Sequence, residues 1–164
     1  NILNLNLSCI TFAINGVLLI NKHTFFMEKV MIARILSGLV GALMLISAIN
    51  WIIDPAAAAA GLEIKESLKA VGGETLLGKN TLIGDFTSFF FTAGILSCIG
   101  SYKNEHEWLY GPLVLLGSAA IFRLIAGVMH GTEILVPAII SEVLIAIMLI
   151  ISINLMKKSK KELN

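Results

Sequence analysis

The sequence predicts an all-α integral membrane protein, a bundle of four transmembrane helices. Hydrophobic residues make up 57% of the 164 residues, charged residues only 14%, and the mean hydropathy is +0.88. A soluble domain of average composition has roughly 25% charged residues. Four apolar runs, each near the roughly 20 residues that a helix needs to cross a bilayer, account for most of the chain. We therefore expect the lipid bilayer as the main partner.

The four spans are separated by short polar segments and one long loop. The first span ends at Asp54-Pro55, because proline disfavours the helical conformation of the preceding residue. Good helix formers occupy much of residues 56–70 in the long loop, which predicts a short interfacial helix there. The predicted spans cover about residues 30–53, 82–101, 109–130 and 134–156.

Residues 1–26 differ in composition from the rest of the chain. They contain five asparagines in 26 residues, whereas the other 138 residues also contain five. Our preferred interpretation is a non-native or mis-assigned extension, with the true start at Met27 or Met31. The alternative is a weak fifth span from Leu3 to Ile20, whose asparagines would have to face other helices. Residues 27–164 are expected to form a single four-helix domain.

The positions of lysine and arginine predict the orientation, because cytoplasmic flanks of membrane spans carry an excess of these residues. With four spans, both termini lie on one side of the membrane. We expect that side to be the cytoplasm. It collects Lys29, Arg34, Lys103, Lys157, Lys158, Lys160 and Lys161, whereas the other side has Lys65, Lys69 and Lys79.

Small residues recur every four positions in the first span, at Ala33, Ser37 and Gly41. Helices in lipid associate through close packing at such residues, since lipid gives them no hydrophobic reason to do so. Packing inside the bundle is the preferred interpretation of this face. The alternative is a surface that binds a membrane protein partner or a second copy of the chain.

Arg123 and Glu142 are the two charged residues deepest in apolar sequence. They lie nine or ten positions on either side of the turn between the third and fourth spans. At about 1.5 Å per residue, both are expected roughly 13 to 14 Å from the same end of an antiparallel hairpin. A lone charge in hydrocarbon costs at least a few kcal/mol. We therefore predict that the two side chains pair or share a buried water.

Three more polar residues are candidates for an intramembrane cluster with this pair: Asp85, His130 and Asn50. Together the five residues could form one ladder from the outer surface to the pair, with a net negative charge balanced by a proton or a cation. Each also has a simpler interpretation. Asp85 could complement a helix dipole, His130 could be an exposed helix end, and Asn50 with Trp51 could anchor the helix at the membrane interface.

Most catalytic and cofactor chemistries are not indicated by the sequence. It has no HExxH motif, no histidine and cysteine set for a metal, and no glycine-rich phosphate loop. The two cysteines lie in apolar stretches, and the net charge of +1 does not suggest a nucleic-acid partner. We expect no catalytic residues, no metal ligands and no cofactor, although acid–base chemistry on a lipid by the carboxylates and His130 is the remaining enzymatic alternative.

Three motifs carry a resemblance to a known family: "IGDF" opening the second span, "FRLIAGVMHG" closing the third and "SEVLIAI" in the fourth. Over roughly residues 30–155 the chain resembles an uncharacterised bacterial family of small four-helix integral membrane proteins. This implies a place in the bacterial inner membrane but no activity. The chain lacks the arginine that the family carries beside Asp85. The positions that the resemblance marks are Pro55, Asp85, Arg123, Gly131 and Glu142.

A weaker similarity, limited to the first span and its proline loop, is to membrane proteins of the DoxX type, which are associated with redox complexes. We expect a structural or accessory subunit in which the Arg123–Glu142 pair fixes the register of two helices. The alternative is a protein that binds or transports a small amphiphile, an ion or a proton through an outward-facing polar site.

Overall fold

The computed structural model describes the backbone of residues 2–62, 64 and 77–163, and the side chains of residues 27–62, 64 and 78–161. Within this part of the chain all regular structure is helical. The helices are α1 (Ile2–Ile53), α2 (Pro55–Gly61), α3 (Leu77–Lys103), α4 (Tyr110–His130) and α5 (Val136–Leu163), with a 3-10 turn at His106–Leu109 before α4.

Four segments of the described residues are long and apolar enough to cross a membrane. They are Met27–Ile53, Gly78–Lys103, His106–His130 and Val136–Lys161. The predicted all-α fold with four membrane-spanning helices is confirmed. The predicted bounds differ from the observed ones by a few residues. The helix of the fourth span, α5, begins two positions later than expected because residues 131–135 form a loop.

The four long helices form an antiparallel ring. α1 packs most extensively against α3 and also against α5, while α4 packs against α5 and α3. The 3-10 turn contacts α3, α4 and α5 at one end of the bundle. α1 therefore contacts two neighbours, α3 and α5, and the α4–α5 hairpin completes the ring.

The interface between α1 and α3 is a close approach of two backbones. A Cβ atom added at Gly41 would lie 2.5 Å from Cys98 Sγ and 2.9 Å from the backbone N of Cys98. Ala33 and Ser37, on the same face of α1, are 0% exposed. Ala33, Ser37 and Gly41 therefore pack inside the bundle. Association with a partner or a second copy stays a prediction, and these three residues are covered within the chain.

Most of the basic residues in the described part of the chain lie at one end of the bundle, which we call the basic end. There Arg34 Nε donates to the backbone oxygen of Ser101 at 3.0 Å, and Ser101 Oγ donates to the backbone oxygen of Arg34 at 2.7 Å. Lys160 Nζ lies 3.2 Å from Glu107 Oε1. These contacts join α1 to α3, and α5 to the 3-10 turn.

The opposite end, which we call the loop end, carries α2. α1 stops at Ile53, and Asp54 Oδ1 accepts a hydrogen bond from the Ala57 N–H at 3.0 Å, so Asp54 caps α2. Pro55 occupies the first position of α2, where its missing N–H costs nothing. The helix predicted over residues 56–70 is thus observed only as Pro55–Gly61, and residues 65–70 lie outside the described part of the chain.

The backbone of residues 2–26 is helical and belongs to α1. The side chains of these residues lie outside the described part. A non-native extension and a fifth span both therefore stay predictions for this segment.

Candidate functional site

Arg123 and Glu142 meet because the α4–α5 hairpin places them at one depth. α4 ends at His130, and Gly131 follows with a φ of 62°, a left-handed conformation that glycine adopts without strain. Arg123 is seven residues before the end of α4, and Glu142 is six residues after the start of α5 at Val136. Each lies about 10 Å from the loop end of its helix. Arg123 Nε donates to Glu142 Oε1 at 3.0 Å, which confirms the predicted contact.

The pair is held by one hydrogen bond only. Glu142 Oε2 is buried and has no hydrogen-bond partner among the described residues. The Nη groups of Arg123 donate to no acceptor in that part of the chain either, since its one observed bond is through Nε. An arginine and a carboxylate that serve only to join two helices gain most from two parallel hydrogen bonds. This arrangement leaves donors on one side chain and an acceptor on the other unused.

The two charged groups differ in exposure. The side chain of Arg123 is 31% exposed, whereas that of Glu142 is 12% exposed. Both line a cavity of about 510 Å³, which we call the Arg123 cavity. Arg123 is therefore the charged group that a molecule in the cavity can reach, and Glu142 lies deeper and holds the guanidinium in place.

The Arg123 cavity has contributions from all five helices. Its volume lies within the range of roughly 300–1,000 Å³ that is typical of small-molecule sites, and its walls are mostly apolar, as in such sites. Of the residues that the structure describes, Arg123 and Glu142 are the charged ones on its surface. The lining residues are Leu43, Met44, Ile46, Ser47, Gly61, Leu62, Phe86, Phe89, Phe90, Leu116, Ala119, Arg123, Pro137, Ala138, Ser141, Glu142 and Ile145.

Three phenylalanines of α3 form an aromatic wall in this cavity. Phe89 and Phe90 lie edge to face with ring centroids 5.2 Å apart, and Phe86 and Phe90 are 6.3 Å apart. Trp51 of α1 stacks on Phe86 at 4.6 Å with ring planes 5° apart. The Trp51 side chain fixes this wall from behind and is only 2% exposed. The expectation that Trp51 anchors the helix at the membrane interface is therefore wrong.

The other three predicted cluster residues are not brought to the pair. Asp85 and His130 are exposed, and neither lines the Arg123 cavity nor forms an ion pair with Arg123. Asn50 lines a smaller neighbouring pocket of about 290 Å³ between α1 and α2. The predicted ladder of five residues does not form in the described structure. Among the described residues, the cavity therefore carries one positive and one negative charge, without the excess negative charge that Asp85 would have added.

No ligand set for a metal is indicated at this site. Within the described residues there is no group of three or more histidine, cysteine, aspartate or glutamate side chains that could hold a metal ion. Glu142 supplies the one carboxylate that the described residues bring to the cavity, and Arg123 already occupies one of its oxygens.

Comparison of the chain with protein-family models, with curated proteins and with solved structures finds no match. The resemblance to small four-helix membrane proteins and to the DoxX type therefore stays a prediction.

Sequence reasoning missed the aromatic wall and the small residues of α5 that border the cavity. A signal for the wall was present, because four of the eight phenylalanines in the chain lie within residues 86–91. Phe86, Phe89 and Phe90 are also spaced three and four positions apart, so they lie on one helix face. Ala138 and Ser141 gave no comparable signal.

Proposed function

We propose that this protein binds a small amphiphile in the Arg123 cavity, with the polar head group at the guanidinium and the apolar part against the phenylalanine wall. The observation that carries the proposal is the pair itself. A partly exposed guanidinium with unused Nη donors projects into a cavity whose other walls are apolar and aromatic.

The role of Glu142 in this proposal is to position Arg123. Its Oε1 accepts the Nε–H of Arg123, so both Nη groups are left without a partner among the described residues and can serve a ligand. Removing the carboxylate would leave a charge in a desolvated site without a partner, which is costly. Glu142 thus keeps the site neutral overall and fixes the direction in which the guanidinium points.

The test is ligand-induced stabilisation of the protein in phosphatidylcholine nanodiscs. We expect octanol to raise the unfolding midpoint saturably, because a ligand at a hundredfold excess over its Kd stabilises the folded state by about 2.7 kcal/mol. Ala119→Leu fills the cavity and abolishes the rise. Ala42→Leu makes the same change at an exposed position of α1 outside the cavity and keeps it. An equal rise in both variants, or none in the wild type, contradicts the proposal.

A second candidate function is the structural one, in which the chain is an accessory subunit and the pair fixes the register of α4 against α5. It is favoured by the 3.0 Å contact between the two helices.

We also propose that the protein lies in the bacterial inner membrane with its basic end in the cytoplasm. Arg34, Lys103 and Lys160 lie near that end of the bundle, and positive residues favour the cytoplasmic side. The test is labelling of a cysteine introduced at Thr132, in the loop between α4 and α5, in a variant without Cys9 and Cys98. The reagent is an impermeant thiol reagent applied to intact cells. Labelling only after the cells are opened would contradict the proposed orientation and would place the loop between α4 and α5 in the cytoplasm.

A further inference from the structure

The opening of the Arg123 cavity lies between α1 and α5. Leu43 and Ile46 of α1 line the cavity and are 43% and 55% exposed. Pro137 and Ser141 of α5 also line it and are exposed. The lining residues of α3 and α4, in contrast, are half-buried or buried. The cavity is therefore closed on the side of α3 and α4 and open between the other two helices.

This opening lies at the depth of lipid chains. Leu43 is ten residues before the end of α1, which places it about 15 Å from that end of the helix. Ser141 is five residues after the start of α5, or about 8 Å from its end. Both positions lie inside segments apolar enough to span a membrane. A molecule in the opening therefore contacts the bilayer from the side.

At the loop end, α2 borders the cavity. Gly61 and Leu62, at the end of α2, form part of the cavity wall. Leu62 also separates the cavity from the neighbouring pocket that holds Asn50. A ligand from water would have to pass these residues, whereas a ligand in the bilayer reaches the opening directly.

The charges and the depth of the site restrict the head group. Arg123 and Glu142 together carry no net charge, so a neutral head group leaves the site neutral. A charged head group would have to move about 10 Å below the loop end of the helices, where charge is costly. The free Nη groups of Arg123 require an acceptor. A hydroxyl or carbonyl group meets these conditions.

We propose that the ligand is a lipid-like molecule with an apolar chain and a neutral hydroxyl or carbonyl head group, and that it enters from the bilayer between α1 and α5. This inference rests on the proposed function, since it names the ligand class and the route for the same cavity. The chain of the ligand passes between Leu43 and Ser141 and keeps contact with the lipid.

The experiment uses the full chain in phosphatidylcholine vesicles that contain a photoreactive octadecanol with a diazirine on its chain. The labelled positions are found by mass spectrometry, with unlabelled octadecanol, octadecane or octadecyltrimethylammonium as competitor. We expect saturable labelling of residues at the opening. Octadecanol competes, while the hydrocarbon and the cation do not.

Tryptophan variants test the route. Ser141→Trp blocks the opening from α5 and Leu43→Trp blocks it from α1, and each is expected to lower the saturable labelling about tenfold, equivalent to about 1.4 kcal/mol. Ile140→Trp is the matched control, because Ile140 is 54% exposed on α5 and does not line the cavity. It should leave the labelling unchanged. The unfolding midpoint of each variant establishes that it is folded.

Each negative result of the labelling experiment contradicts a different part of the proposal. Labelling that survives both blocking variants but is lost in Leu62→Trp overturns the lateral route in favour of the loop end. Equal competition by octadecane and octadecanol overturns the head-group assignment. If saturable labelling is absent while octanol still stabilises the protein in nanodiscs, this inference fails and the proposed function stands. If octanol does not stabilise it either, both fail.

Discussion

The α1–α3 interface and the α4–α5 interface hold the same bundle together in different ways. Along α1 and α3, glycines let the backbones touch, so that a Cβ at Gly94 would lie 3.0 Å from the backbone N of Leu45. Along α4 and α5, contact is less extensive. At the depth of Arg123, a charged pair and a cavity take the place of close packing there.

This difference separates stability from binding within one small protein. Packing of small residues gives the α1–α3 pair a single well-fitted arrangement, because helices in lipid gain most from close contact. The α4–α5 pair carries a charged pair with unused hydrogen-bonding groups among the described residues, and it borders the Arg123 cavity that all five helices line. We expect changes in the first interface to affect stability alone and changes in the second to affect both stability and ligand binding.

The largest loss of folding stability is expected from a change in the Arg123–Glu142 pair. Glu142→Leu leaves Arg123 without its partner and should destabilise the protein by about 3–5 kcal/mol. The double variant Arg123→Leu/Glu142→Leu should recover most of that loss, because no uncompensated charge remains. Unfolding midpoints in nanodiscs for the wild type, both single variants and the double variant give the coupling energy.

Octanol binding by the double variant then decides between the two candidate functions. If the pair is only a clamp between helices, the double variant keeps the octanol response of the wild type. If Arg123 holds the head group, the double variant is stable and the response is lost. A double variant as unstable as Glu142→Leu would show that the loss does not come from the unpaired charge.

The second largest loss of folding stability is expected from a change in the α1–α3 interface. Gly41→Ala forces a methyl group against the backbone of Cys98 and should cost about 1–3 kcal/mol or more, as overpacking does. Gly117→Ala on α4 is the matched control, since a Cβ there meets nothing within 4 Å. Unfolding midpoints should fall for the first variant and stay level or rise slightly for the second. Equal midpoints would mean that the two interfaces are packed alike.

The smallest effect is expected at the ion pair on the basic end. The side chains of Lys160 and Glu107 are 61% and 54% exposed, so Lys160→Gln should cost at most about 1 kcal/mol. The variant should also leave octanol binding unchanged, because the pair is far from the Arg123 cavity. A loss as large as that of Glu142→Leu would contradict the division between a packed and a charged interface.

How far the site could be predicted differs between its residues. The contact between Arg123 and Glu142 followed from counting, because a short turn fixes the relative depth of two antiparallel helices. The direction of the Asp85 side chain could not be predicted by counting residues, because it depends on the rotation of α3 about its own axis. That rotation is set by Gly94, which faces α1, and Asp85 is nine residues earlier, about half a turn around the helix. Its side chain is therefore directed away from α1 and is exposed.

Asn50 and Trp51 depend on tertiary structure in the same way. The sequence places both near the end of a span, where an interfacial position is the usual one for tryptophan. In the folded chain α3 extends past the end of α1, so that Phe86 can stack on Trp51 and bury it. Asn50 instead faces the pocket beside α2.

The sequence by itself determined the fold class, the four spans and the common depth of Arg123 and Glu142. These depend on hydropathy along the chain and on the fixed rise of a helix, which are local properties. The tertiary structure alone decided which faces of the helices meet, and hence the phenylalanine wall, the unused donors of Arg123 and the opening between α1 and α5. Those features depend on helix rotation and on the fit of side chains between helices, which no local pattern specifies.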